Sequence, residues 1–342
     1  NIYMINNTKI ITSFYKLNGC QMNVYDSQRI ASILETLGYQ PTDHQNQADI
    51  VIFNTCHIRE KAAEKVFSDL GRAELIKQER AAQGLDTVIG VCGCVVQAED
   101  EQIAKRAPFV DFATGPLTYH RLPEILAQVG RSRGIPIIDT EFPVESKFDF
   151  LPDYHASGAC SYLAIQEGCN NFCTYCVVPY TRGVETSRPV ADVVKEARNL
   201  VAGGTLEINL LGQNVNSYHG EDSSGKERNL AYLLRQLNEI DGLKRIRYTT
   251  SYPADVDDDL ISCHHDMPKL MPYLHLPVQS GSDKILKLMN RRHTAGQYLE
   301  VIAKLRDANP ELRFSSESLL RAKFTAIGLF DCRKSISSCS LT

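Results

Sequence analysis

Apolar positions along the chain switch repeatedly between short β-branched runs and a three-to-four-residue spacing. Residues 9–17 are rich in β-branched and aromatic side chains and read as a strand, broken at Asn18-Gly19-Cys20. A helical spacing from Asp26 runs through Ile30, Ile33, Leu34 and Leu37 and stops at Gly38. Residues 49–53 form a short apolar strand ending at Asn54-Thr55-Cys56, and Ile58, Ala62, Val66, Phe67 and Leu70 share one face of the next helix. A third strand over residues 87–91 ends at Cys92-Gly93-Cys94. A helix over 98–106, a strand over 109–113 and a helix over 118–129 complete this half.

Residues 130–158 hold no sustained period and are punctuated by Gly130, Gly134, Pro136, Pro143, Pro152 and Gly158. They read as a connection. The alternation then resumes. A strand over 161–166 leads into a cysteine-rich loop, and a helix near Asp192 turns Val193, Ala197, Leu200 and Val201 inward before Gly203-Gly204. Strands follow over 207–211, 245–250, 273–276 and 312–315. The intervening helices include one with Leu230, Leu233, Leu234, Leu237 and Ile240 on one face, and others over 257–263, 282–290 and 295–308; residues 218–228 are a polar loop.

Strand–helix alternation predicts parallel sheets with right-handed crossovers. The first half is an open α/β sheet and the second a run of five βα units, a partial barrel. This frame changes how the cysteines read. Cys20, Cys56 and Cys94 each follow a predicted strand, and in an open parallel sheet those ends share one edge, where ligands bind. One such cysteine would read as a small buried residue. Three at equivalent positions, two beside glycine, predict a metal-cluster site. Cys92 points differently and reads as packing. In the second half, Gln213, Asn214, Ser251, Gln279 and Ser280 cluster just after strands, the ligand-binding face of βα barrels.

Composition narrows the class. The chain has 342 residues, 43% hydrophobic and 23% charged, with a net charge of -4. That is the balance of a soluble globular protein rather than a strongly basic nucleic-acid binder, although a local patch suffices for RNA. No apolar run approaches the roughly 20 residues of a membrane helix, and no secretory signal is seen, so a cytoplasmic protein is expected. In a reducing compartment the eleven cysteines point to metal ligation rather than disulfides.

The sharpest motif is Cys169, Cys173 and Cys176, spaced C-x3-C-x2-C. Three thiolates on one short loop hold three corners of a cubic iron–sulfur cluster and leave the fourth iron open to a substrate. Zinc would want a fourth Cys or His nearby, usually from a second C-x2-C pair, and none follows closely. A zinc-binding structural protein is the remote alternative.

The motif, placed after the first strand of a βα barrel with an aromatic residue (Tyr175) before its last cysteine, resembles the radical S-adenosylmethionine (SAM) superfamily. Further blocks resemble its methylthiotransferases, and within them the MiaB-type, tRNA-modifying family. They are Gly19-Cys20-Gln21-Met22-Asn23, Asn54-Thr55-Cys56 with Ile58-Arg59-Glu60-Lys61-Ala62, Gly93-Cys94, and Gly115-Pro116 with Arg121-Leu122-Pro123. The second half adds Glu167-Gly168-Cys169-Asn170-Asn171-Phe172-Cys173, Val178-Pro179-Tyr180-Thr181-Arg182-Gly183, the run from Leu211 to Tyr218, and the run from His275 to Ser282. The match runs in order over residues 9–316.

The resemblance implies a flavodoxin-like methylthiotransferase domain (residues 1–130), a linker (131–158) and a partial radical SAM barrel (159–316). It implies that Cys169, Cys173 and Cys176 hold a catalytic 4Fe–4S cluster whose open iron chelates SAM, and that Cys20, Cys56 and Cys94 hold an auxiliary 4Fe–4S cluster that carries or supplies sulfur. Tyr175, Gln213, Asn214, Ser251 and Gln279 are candidate SAM contacts. Gly203, Gly204 and Glu207 resemble the Gly-Gly-Glu element that meets the SAM amino group, although they also read as a helix end before a strand. Arg182 would meet SAM, an RNA phosphate or a partner within the loop.

The implied reaction converts N6-isopentenyladenosine next to the tRNA anticodon to its 2-methylthio derivative. One SAM serves hydrogen abstraction and a second methylation. The implied partners are the tRNA anticodon stem-loop and an electron donor such as flavodoxin or ferredoxin, with a monomer as the working form. Two alternatives stand beside it: a sibling acting on threonylcarbamoyl-adenosine tRNA or a ribosomal protein, and an inactive cluster-binding fragment. The family continues into a Gly-Phe-Pro-Gly-Glu block, a last barrel unit and a small RNA-binding TRAM domain. Residues 317–342 match none of these, so an incomplete barrel and no TRAM domain are expected.

Overall fold

A computed structural model of the chain describes residues 11–57, 60–132, 134–153 and 158–317. Ile58 and Arg59, and the atypical tail beyond Glu317 with Cys332 and Cys339, lie outside the described residues.

The first half runs β1 (Ile11–Asn18), α1 (Gln21–Thr36), β2 (Tyr39–Pro41), β3 (Ile50–Thr55), α2 (Glu60–Ala82), β4 (Val88–Cys92), α3 (Cys94–Arg106), β5 (Phe112–Thr114), α4 (Leu122–Arg131) and β6 (Ile137–Asp139). The strands form one parallel sheet in the order β2-β1-β3-β4-β5-β6. The order 2-1-3-4-5 is flavodoxin-like, with its topological switch between β1 and β3. β3 is buried along its whole length. Val51 and Phe53 pack on one face with Val66 and Leu70 of α2 and Val95 and Ile103 of α3. Ile50 and Ile52 pack on the other with Ile30 and Leu34 of α1 and Leu122 and Ile125 of α4. Cys92 is fully buried on that second face.

Several boundaries differ from the sequence reading. α1 begins at Gln21 rather than Asp26, because Cys20 caps it through reciprocal bonds with Asn23, and a cysteine cap has no ordinary sequence signature. α3 begins at Cys94 and kinks at Glu99, so the helix expected over 98–106 is only its second part. β5 sits at 112–114 rather than 109–113. β6, expected as part of a connection, adds a sixth strand beside β5. Nor is the rest of that connection a free tether, since Lys147 is buried.

The second half runs β7 (Cys160–Ala164), β8 (Gln166–Glu167), α5 (Val178–Arg182), β9 (Thr186–Ser187), α6 (Val190–Ala202), β10 (Glu207–Leu211), β11 (Gly220–Glu221), β12 (Glu227–Arg228), α7 (Leu230–Asn238), β13 (Arg245–Thr249), α8 (Asp258–Asp266), β14 (Tyr273–His275), α9 (Asp283–Leu288), α10 (Ala295–Ala308) and β15 (Arg313–Ser315). β7, β10 and β13 pair in parallel, as do β14 and β15. A parallel bridge between Ile246 and Leu270 carries the arc from one group to the other. The five predicted βα strands are therefore present. The β8–β9 and β11–β12 pairs are antiparallel additions in the loops. One continuous core joins the arc to α6, α7, α8 and α10.

The two halves meet through α1. Met22 and Tyr25, in its first turns, pack on Ala164 and Leu211, which end β7 and β10. The carboxyl-terminal edge of one sheet therefore abuts the carboxyl-terminal edge of the other. Among the described residues no helix is long and apolar enough to cross a membrane.

Candidate cluster and cofactor sites

Cys20, Cys56 and Cys94 follow β1, β3 and β4, three adjacent strands with β3 in the middle. Cys56 and Cys94 are nearly inaccessible, and Cys20 is exposed at the amino-terminal cap of α1. The Cys20 thiol is held down to about 6, chiefly by its hydrogen bond with Cys56 and further by the positive charge of Arg182, against the opposing effect of burial. The Cys20 thiol also donates to Asn23 Oδ1 at 3.2 Å. Asn23 Nδ2 in turn donates to Asn54 Oδ1 at 2.9 Å, and Asn54 Nδ2 donates to Ser27 Oγ at 2.9 Å. This amide pair ties the start of α1 to the end of β3. Gly93 is required here: its φ is +98°, and a Cβ would lie 2.5 Å from the Thr55 carbonyl oxygen. Only glycine lets α3 start so close to β3 and bring Cys94 to the edge.

Cys169, Cys173 and Cys176 lie on the loop between β8 and α5. Burial pushes the Cys169 and Cys176 thiols up, and the neighbouring thiol of Cys173 adds to both shifts. Gly168 turns the chain into the loop with φ +75°, where a Cβ would lie 2.0 Å from the Val184 oxygen. Gln213 Oε1 accepts from the Gly168 N–H at 2.6 Å. From across the arc, the turn between α9 and α10 clasps the loop. The Met289 oxygen accepts from Thr174 N at 3.2 Å, and Asn290 Nδ2 donates to the Asn171 and Phe172 oxygens at 3.1 and 3.0 Å. Asn171 Nδ2 donates to Cys169 Sγ at 3.4 Å, and Arg291 Nη1 to Cys173 Sγ at 3.6 Å. The Arg291 guanidinium lies 4.1 Å from the Tyr252 ring centroid, and Arg292 N donates to Tyr252 Oη at 2.6 Å.

The remaining candidates separate by place. Asn214 and Ser251 follow β10 and β13; both are buried, and Asn214 Oδ1 and Ser251 Oγ have no hydrogen-bond partner. Two orphaned buried acceptors at the strand ends suit a polar ligand over the cysteine loop. Gln279 is buried with φ +66° in the loop after β14. Half-exposed Tyr175 has its hydroxyl pushed up to about 12 by burial, with Arg291 opposing and the Cys173 and Cys176 thiols adding.

Gly203, Gly204 and Glu207 require a correction. They lie at the start of β10, where Glu207 pairs in register with Cys160, at the far end of the strands from the cysteine loop. Gly203 caps α6, and Glu207 accepts from Arg245 Nε and Arg247 Nε. They belong to the helix-end reading, outside the cleft. Arg182 meets neither ligand surface: it is buried and paired with Asp26 and Glu167. His275 is held by Ser315, with Nδ1 2.7 Å from its hydroxyl oxygen. Cys263 is buried in the barrel core.

The sequence reading did not single out Asn290, Arg291 or Arg292. Their nearest signal was the basic pair itself, placed between two helical periods. Among the described residues, no three Cys, His, Asp or Glu side chains form a ready-made cage for one metal ion. Each set offers three thiols and no other ligand type, a donor set that suits an iron–sulfur cluster.

Residues 12–115 match the model described as uncharacterized protein family UPF0004, and residues 163–316 match the radical SAM superfamily. The chain is 56% identical over 309 residues to tRNA-2-methylthio-N(6)-dimethylallyladenosine synthase of Paracoccus denitrificans (strain Pd 1222), covering 90% of this chain and 67% of the relative. Among solved structures it resembles the cobalamin-dependent S-adenosylmethionine radical enzyme OxsB, with a TM-score of 0.62 at 14% identity over 90% of this chain. It spans 49% of that protein's length. The radical S-adenosylmethionine methyltransferase TsrM from Kitasatospora setae gives a TM-score of 0.63 at 12% identity, over 90% of this chain and 67% of that one. At such identities these two structures share the fold.

Proposed function

As the chain belongs to the tRNA-2-methylthio-N(6)-dimethylallyladenosine synthase family and carries a radical SAM domain, we propose that it adds a methylthio group to N6-isopentenyladenosine beside the anticodon of tRNA. What supports this most directly is the pair of three-cysteine sets on the abutting edges of two parallel sheets. Cys169, Cys173 and Cys176 would hold the cluster that binds SAM, and Cys20, Cys56 and Cys94 the auxiliary one. When bound, these groups supply a 5′-deoxyadenosyl radical able to take hydrogen from an unactivated adenine C–H, and the sulfur that replaces it; a second SAM supplies the methyl group.

The chain's own residues do the holding and shaping. Asn171 Nδ2 and Arg291 Nη1 direct N–H groups at Cys169 Sγ and Cys173 Sγ, which orients both sulfurs within the loop. Asn214 Oδ1 and Ser251 Oγ offer acceptors to the SAM ammonium or ribose, and Tyr175 lies at the rim. The protein acts on tRNA in the cytoplasm as a monomer and takes electrons from a small flavodoxin- or ferredoxin-like donor.

Mass spectrometry of tRNA nucleosides tests the proposal. A strain lacking the gene should lose 2-methylthio-N6-isopentenyladenosine, accumulate the unmodified isopentenyl nucleoside, and recover on complementation. Unchanged levels would contradict the reading, and loss of a methylthio-threonylcarbamoyl nucleoside instead would assign the sibling substrate.

A further inference from the structure

Between the two cysteine sets lies a closed ring of four buried charges that the reaction as proposed does not use. Asp26 lies in α1, six residues after Cys20; Glu167 ends β8, two residues before Cys169; Arg182 ends α5, six residues after Cys176. Lys147 comes from the segment that joins the two halves. Lys147 Nζ is 3.2 Å from Asp26 Oδ1 and 2.8 Å from Glu167 Oε1. Arg182 Nη2 is 2.7 Å from Asp26 Oδ2, and Nη1 donates to Glu167 Oε1. Each carboxylate therefore holds both cations, and every side chain is at most 5% exposed.

Burial alone would push the Asp26 carboxyl up, but Lys147 and Arg182 hold it below its ordinary range. Lys147 also donates to the Pro116 oxygen at 3.0 Å and lies 4.5 Å from the Tyr119 ring centroid.

A ring of this kind is a costly way to gain stability, because each ion must leave water and an apolar filling of equal volume is often no worse. What it provides is register. Its bonds close together only when α1, β8, α5 and the joining segment take one arrangement. Any slip leaves a buried charge unpaired, which is strongly destabilising.

We propose that Asp26, Lys147, Glu167 and Arg182 form a positioning lock that fixes the two cysteine sets relative to each other, so that hydrogen removal and sulfur delivery address the same substrate carbon. This rests on the methylthiotransferase reading. Loosening the lock leaves each site intact but separates the two events, and SAM is then cleaved without product.

The test uses the anaerobically reconstituted protein, dithionite, SAM and an anticodon stem-loop RNA carrying N6-isopentenyladenosine. Asp26→Asn and Lys147→Met should keep the wild-type iron content while 5′-deoxyadenosine formed per methylthio product rises about tenfold or more, the scale on which a misplacement of order one ångström acts. Arg182→Lys, which keeps the charge, should fall between these and wild type. Pulsed electron paramagnetic resonance of the two reduced clusters should show a broadened inter-cluster distance distribution in the first two variants. A product ratio and distance distribution at wild-type values, with iron retained, would overturn the proposal. Loss of iron with the ratio unchanged would also overturn it, as that would make the ring a folding element only. If the wild-type protein forms deoxyadenosine but no methylthio product, the proposed function fails, and the distance measurement still decides the lock.

Discussion

Arg291 shows what a single side chain adds to the cysteine loop. Its guanidinium reaches Cys173 Sγ from the turn between α9 and α10 and lies over Tyr252. A cationic donor on a ligating sulfur stabilises the reduced, more negative cluster. Arg291→Met should therefore lower the reduction potential of the SAM-site cluster by on the order of 50 mV, close to a tenfold change in the reduced-to-oxidised ratio for one electron. Redox titration followed by electron paramagnetic resonance checks this; an unchanged midpoint would mean that Arg291 only packs. At this scale the sequence was legible where chemistry depends on local spacing. The C-x3-C-x2-C loop and the three cysteines after strands could be read directly. Arg291 could not, because its partner lies 118 residues away, and a basic pair between helices looks like any exposed turn. Gly203, Gly204 and Glu207 failed for the opposite reason: a short pattern looked right, but it falls at the wrong end of β10.

Among the elements, strand and helix identity was mostly legible and their ends were not. The continuous apolar run of β3 and the helical spacing in α1, α7 and α10 are carried by apolar residues in the sequence itself. The starts of α1 and α3 were hidden because Cys20 and Gly93 cap them, and the three-residue strands β2 and β6 are too short for any period. Gly90 in β4 is a further element-scale feature. The Phe112 ring of β5 occupies the space its Cβ would need, at 2.1 Å. Gly90→Ala should destabilise the protein by about 1–3 kcal/mol through overpacking, measured by denaturant unfolding. The double variant with Phe112→Leu should recover part of that loss; a fully tolerated Gly90→Ala would contradict the packing described for this sheet.

For the whole molecule, the sequence separated the two halves and placed binding edges on each, but it did not show those edges meeting. That contact depends on α1 and on the ring of Asp26, Lys147, Glu167 and Arg182, in which Asp26 of the first half joins three residues more than a hundred positions away. The barrel core also sets an acid limit. Burial holds the His264 imidazole down to about 4, where Nε2 lies 2.7 Å from Tyr248 Oη. Burial and the nearby Arg291 hold His293 down to about 4 as well. Between an unfolded value of about 6.5 and the folded value the unfolded chain binds protons that the fold refuses. Stability should be complete above about pH 6.5 and fall as pH drops toward 4, by roughly 3 kcal/mol at most for each buried imidazole. Melting curves from pH 7.5 to 4.5 should show the decline, and His264→Gln should flatten it. An equal slope in that variant would remove His264 from the account.

The central claim is that one chain carries two separate thiol sites, each built for a four-iron cluster. Iron and sulfide analysis after anaerobic reconstitution tests it most directly, on the wild-type protein and on two triple variants in which either Cys20, Cys56 and Cys94 or Cys169, Cys173 and Cys176 are changed to alanine. The account predicts about eight irons per chain in the wild type and about four in each variant. About four in the wild type, or the loss of all iron from either variant, would contradict it.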